Sequence, residues 1–176
     1  MNMVLIIASV VLALAAAYTD IRWGKIFNWL TVPFALLGLT LNSVAGGMEG
    51  FLLSLGGIAA GFALWLVSNF LGRILGGGDI KLLMAFGALL GPGFMAWTFA
   101  LGAVIGGVMS IVIAIRRGVL AKIIKQMGTS VYMRTAFATP MEITDGAGEI
   151  RLPYAIALGA GALITIAVRL VRGGGI

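Results

Sequence analysis

Gly76-Gly77-Gly78-Asp79 stands between the apolar runs 51–71 and 80–90, the second opening as Ile80-Lys81-Leu82. A carboxylate at the edge of a bilayer is costly unless it is solvated or paired, so an acid placed there points first to function. The chain has only six acidic residues. Two of them, Asp20 and Asp79, fall where a helix enters or leaves lipid. Brought together, two carboxylates share a proton and activate a water, which is the chemistry of an aspartic protease.

Composition sets the class. Of the 176 residues, 61% are hydrophobic and 10% charged, and the mean hydropathy is +1.12. That is far more apolar surface than a soluble domain of this size needs, so the expected fold is an all-α polytopic membrane protein. The 27 glycines suit membrane helices, where small residues let backbones approach closely. With neither cysteine nor histidine, disulfides, thiolate nucleophiles, HExxH metallopeptidases and Ser-His proteases are excluded. No metal or organic cofactor is expected.

Working outward, residues 1–18 lack the basic start of a signal peptide and read as a retained first span. Further apolar runs cover 28–45, 51–71, 80–90, 94–115 and 153–171. The run 80–90 is short of the ~20 residues that a straight span requires. It reads as a short or tilted helix whose entrance, at the glycines, lines a polar cavity; a re-entrant segment is the rival. Six spans result, and the basic residues orient them. The connections after spans 1, 3 and 5 hold Arg22, Lys25, Arg73, Lys81, Arg116, Arg117, Lys122, Lys125, Arg134 and Arg151, while Arg169 and Arg172 belong to the C-terminal tail. The positive-inside rule then places the odd connections, and with them Asp20 and Asp79, in the cytoplasm and both termini outside.

One membrane-embedded domain, 1–176, is expected. Within it, 116–151 is a cytoplasmic or interfacial segment, with Val119, Leu120, Ile123, Ile124, Met127 and Val131 at helical spacing around Lys122 and Lys125. That pattern suits an amphipathic helix attracted to anionic membrane lipid. The acidic loop that follows is either a solvated connector or a lid beside the site.

Each site residue has a plainer reading. Asp20 is balanced by Arg22 and Lys25, and Tyr18, Trp23 and Trp29 mark the membrane interface. Asn28 begins the second span. Asp79 caps a helix starting at Ile80, with the glycines supplying positive φ. Read functionally, Gly76 and Gly78 clear the way for an extended substrate backbone. A helix end that keeps Asp79 ionised beside a protonated Asp20 would supply the asymmetry of an acid/base dyad, although the sequence leaves open which acid holds the proton. Lys81 reads as a headgroup or loop contact.

Gly76-Gly77-Gly78-Asp79, followed by Ile80-Lys81-Leu82, resembles the second catalytic motif of GxGD intramembrane aspartic proteases, and among them the type IV prepilin peptidase family. Asp20, Arg22, Lys25, Ile26 and Asn28 match that family's first motif, and Leu152-Pro153-Tyr154-Ala155-Ile156-Ala157 is similar to the start of its last span. The resemblance implies Asp20 and Asp79 as the catalytic pair, with Gly76, Gly78, Lys81, Asn28 and Pro153 shaping the loop and the substrate path. Larger members carry a cytoplasmic domain with paired cysteines associated with N-methylation. This chain starts at its first span without cysteine, so that activity is not expected, and the short form resembles the peptidases of Flp-type, tight-adherence pili.

The resemblance further implies cleavage of a basic leader from prepilins or pseudopilins at the cytoplasmic face of the inner membrane. Pilus or secretion assembly machinery would be a partner, and nucleic acid would not. A small transporter also places acids in glycine-broken helices, and a scaffold subunit of a secretion complex would share the hydropathy. Neither calls for two acids on one face.

Overall fold

The computed structural model describes residues 2–71, 75–116, 154–171 and 173. These form helices α1 (Met3–Trp23), α2 (Asn28–Phe70), α3 (Gly77–Leu90), α4 (Pro92–Arg116) and α5 (Tyr154–Val171), with no strand among the described residues. The all-α expectation holds, and every helix except α3 is long and apolar enough to cross a membrane. The chain divides into two units, Met1–Gly106 with Pro153–Ile176, and Gly107–Leu152. Of the second, the described residues are the last turns of α4. The expected amphipathic helix and acidic loop, like Pro153, lie outside the described residues.

Local signals set the helix ends. The Asn2 side chain accepts from the Val4 N–H to open α1. Gly24 closes it in the left-handed conformation at φ 62°, its N–H donating to the Asp20 carbonyl at 2.8 Å. Glycine adopts that conformation without a Cβ penalty. Asp20 therefore sits in the final turns of α1.

The connection expected between 45 and 51 is a bend instead. α2 is assigned as helix through its 43 residues, with Gly47 at φ 55° and ψ −133°. Straight, it would extend about 65 Å at 1.5 Å per residue. Folded at Gly47, each arm is close to the ~30 Å of a hydrocarbon core. The arms meet beside the bend, where Gly50 closes on the Asn42 carbonyl with no room for a Cβ. Asn42 Nδ2 donates to Ser54 Oγ at 2.9 Å across the same gap.

α3 lies against both arms, and Leu82, Leu83, Ala85, Phe86, Ala88 and Leu89 on it are fully buried. Lipid tails are as apolar as leucine, so hydrophobicity alone gives a membrane helix little reason to choose this place over lipid; close packing does. The backbones of Gly57 and Gly87 touch, and a Cβ on either would strike the other's carbonyl. A Cβ on Gly38 would come within 2.6 Å of the Ala88 carbonyl, and one on Gly61 within 2.5 Å of Met84. The last carbonyls of a helix lack intrahelical partners. Here Asn42 Nδ2 donates to the Ala88 and Leu89 carbonyls at 3.1 Å each, and Ser54 Oγ to Ala88 at 2.8 Å. Such bonds contribute on the order of 1 kcal/mol each in a membrane bundle.

α5 runs antiparallel to α1, with Gly159 beside the Ala13 carbonyl, and antiparallel to α4, with Gly161 against Gly102 and Thr98. These pairings gather the end of α1 and the starts of α2, α3 and α5 at one end of the bundle. Arg169, counted from sequence as part of the tail, is instead buried in α5 at the opposite end, 8% exposed.

Overpacking a tight core typically costs 1–3 kcal/mol, and more where backbone meets backbone. Gly57→Leu and Gly87→Leu should each lower the thermal unfolding midpoint in detergent by about 5 °C or more. Gly46→Ala, which meets nothing within 4 Å, should leave it unchanged. Midpoints equal to the parent's for both leucine variants would remove the glycine contact from the account.

Candidate active site

Asp79 stands in the first turn of α3 rather than at its cap. Gly76 occupies the cap position with φ −65° and ψ 140°, and the helix begins at Gly77. None of the three glycines has a positive φ. The left-handed turn expected of them is therefore absent, and what they provide is space. A Cβ on Gly76 would lie 2.8 Å from Asp79 Oδ2, and one on Gly78 would lie 3.2 Å from Ile26 Cβ, whereas one on Gly77 would meet nothing within 4 Å. Ile26, which belongs to the stretch between α1 and α2, thus packs the two sequence motifs against each other.

A second link joins the motifs at the surface. Lys81 Nζ donates to Asn28 Oδ1 at 2.8 Å, tying the first turn of α2 to the start of α3. Lys81, expected to face headgroups or the loop, is engaged with Asn28. Beside it Tyr18, Trp23, Phe27 and Trp29 form a run of ring contacts with centroids 5.8, 5.8 and 6.1 Å apart. Arg22 lies over the Trp23 ring at 5.5 Å. Trp23 and Trp29 are exposed, as interfacial aromatics are.

The carboxylates differ in their surroundings. Asp20 Oδ2 accepts from the Ala155 backbone N–H at 2.9 Å, a donor in the first turn of α5 that has no partner within its own helix. Burial, and after it the charge of Asp20, pushes the Asp79 carboxyl up to about 6. A helix N-terminus favours an ionised acid, but at Asp79 desolvation and the like charge outweigh it. The helix-end hydrogen bond thus belongs to Asp20 rather than to Asp79. The Ala155 donor is invisible to motif reading because it is a backbone group. The similarity of 152–157 to the family's last span was the one signal pointing there.

A terminal turn holding one acid through another helix, a glycine-cleared second acid that feels its charge, and a flanking Lys-Asn link agree with the first comparison. The sequence model of the type IV leader peptidase family matches residues 6–111, so this chain belongs to that family. Comparison with curated proteins and with solved structures gives no match. The matched stretch includes Asp20, Asn28, Gly76, Gly78, Asp79 and Lys81, whereas Pro153 lies beyond it.

The glycine geometry orders three variants. Gly76→Val, which drives a branched side chain onto the Asp79 carboxylate, should slow leader-peptide cleavage about tenfold or more, equivalent to ~1.4 kcal/mol. Gly78→Ala requires Ile26 to give by a few tenths of an ångström and should cost a few-fold, while Gly77→Ala should stay within about twofold. Cleavage rates at equal membrane abundance measure this. Gly77→Ala emerging as the slowest would contradict the geometry.

Proposed function

We propose that this chain is a membrane aspartic endopeptidase that removes the basic leader of type IV prepilins, of the Flp type, at the cytoplasmic face of the inner membrane. The observation that carries the reading is the pairing of Asp20 with Asp79. They come from the two motifs, meet at one end of the bundle, and the charge of one is felt at the other. In this reading the chain crosses the membrane six times, with both termini outside and 80–90 as the fourth span. The basic connections and the interfacial aromatics then share the cytoplasmic face with the acids. Anionic lipid there and the pilus assembly machinery are the proposed partners.

The reaction follows from the unequal surroundings of the two acids. The substrate's apolar helix lies in the bilayer and its basic leader at the surface. The scissile segment unwinds and extends past Gly76 and Gly78. Asp20, oriented by the Ala155 N–H that its Oδ2 accepts, takes a proton from the water as the water's oxygen bonds to the scissile carbonyl carbon. Asp79, which retains its proton more readily, protonates the carbonyl oxygen. As the tetrahedral centre collapses, one of its hydroxyls returns a proton to Asp79, the C–N bond breaks, and the departing amine receives the proton that Asp20 took. Lys81 and Asn28 keep the start of α3 against the first motif.

Three measurements test this. Co-expressed with a small prepilin, Asp20→Asn and Asp79→Asn should each leave the precursor uncut while remaining inserted at normal abundance; processing by either variant would sink the dyad. Cleavage should survive chelators, because no step needs a metal, and an EDTA-sensitive rate restored by one divalent ion would make the acids metal ligands. The active pair carries one proton. Activity should therefore fall as pH rises above about 6, where Asp79 loses it, and fall again in acid as Asp20 is protonated, the two limbs belonging to the pair as a unit. A rate that continues to climb through alkaline pH would contradict the assignment.

A further inference from the structure

At the end of the bundle away from the acids, Arg169 is 8% exposed and faces no carboxylate among the described residues. Its guanidinium lies 5.2 Å from the Phe94 ring centroid. Nη1 donates to the Leu90 carbonyl at 3.4 Å, a long bond, and Nε is buried with no partner. A guanidinium in the outer part of a membrane bundle normally pairs with an opposite charge or with well-placed acceptors. Among the described residues this one has a single marginal acceptor.

What it faces sharpens the point. Arg169 Nη2 is the group nearest to a Cβ built on Gly93, at 3.7 Å, and Gly93 lies in the first turn of α4, directly after Pro92. A helix start carries unsatisfied N–H groups and the positive end of the helix dipole. A guanidinium without a counter-charge set beside it raises the local positive potential, an arrangement that favours an anion contacting both. Gly93 is exposed, and among the described residues beyond its chain neighbours Arg169 is the only side chain within 4 Å of a Cβ built there. Trp97, one turn further along α4, is 51% exposed, as a ring at headgroup depth is expected to be.

We infer that Arg169 and the first turn of α4 form a binding site for a phosphate group at the bundle end opposite the acids. The group is the headgroup phosphate of an anionic phospholipid or free inorganic phosphate, and the guanidinium fork suits either. The site concerns assembly and stability in the membrane and does not depend on the peptidase reading.

The test uses the full-length chain purified in a neutral detergent. Thermal unfolding is followed with no addition, with phosphatidylglycerol in mixed micelles, with phosphatidylcholine, and with inorganic phosphate. Phosphatidylglycerol should raise the midpoint by on the order of 5 °C at saturation. Arg169→Gln should lose most of that rise. Gly93→Val, which keeps the charge but fills the approach, should lose it as well, so the test stands even if Arg169→Gln folds poorly. A rise with phosphatidylglycerol alone identifies lipid, and an equal rise with inorganic phosphate identifies the free ion. Two outcomes overturn the site: no midpoint shift with any anion, or a shift that both variants share in full. The Leu90 carbonyl and the Phe94 face would then be all that Arg169 requires.

Discussion

The backbone contact between Gly57 and Gly87 is the constraint from which the rest of the arrangement follows. α3 has 14 residues, too few to cross a bilayer unaided, and its depth must therefore be set by its neighbours. Two glycines let it approach the second arm of α2 more closely than any side chain permits. Gly38 does the same for the first arm, and Asn42 with Ser54 holds the terminal carbonyls. With its far end fixed in this way, the near end of α3 can reach no further than its own length. That length delivers Asp79 to the level of the last turns of α1, where Asp20 stands.

Much of this was legible in the sequence. Hydropathy located the helices to within a few residues, and the two acids stood out because charge is scarce in an apolar chain. The opening of the last span at 153–154 was legible too, since α5 begins at Tyr154. Two features were not. The connection near 46–50 reads as a loop because Gly46 and Gly47 interrupt the apolar run, yet one residue with φ 55° is enough to turn the helix back. The glycines at 76–78 suggest a left-handed turn, but glycine serves equally where there is no room for a Cβ, and only the position of the Asp79 carboxylate distinguishes the two uses. Arg169 escaped because a cation near the chain end reads as solvated, and its burial depends on where α3 stops and α4 starts.

The asymmetry between the acids has the same origin. Both sit at helix termini, but at opposite kinds. Asp20 is in the last turns of α1 and takes its hydrogen bond from another helix, while Asp79 is half-buried at the start of α3. In the proposed mechanism this separates acceptor from donor without any third residue. It also makes the position of α5 relevant to the chemistry, because Ala155 orients Asp20 through its backbone, and no side-chain substitution at that position removes the donor short of proline.

The central claim is that α3 brings Asp79 to Asp20 on one face of the membrane. The chain contains no cysteine, so a pair introduced as Asp20→Cys and Asp79→Cys reports on that claim without background. In intact membranes a short bifunctional thiol reagent should bridge the two positions within one chain, and a membrane-impermeant maleimide should reach both only from the cytoplasmic side. Labelling of the two cysteines from opposite sides, or failure of the bridge in protein that is inserted and labelled, would contradict the account.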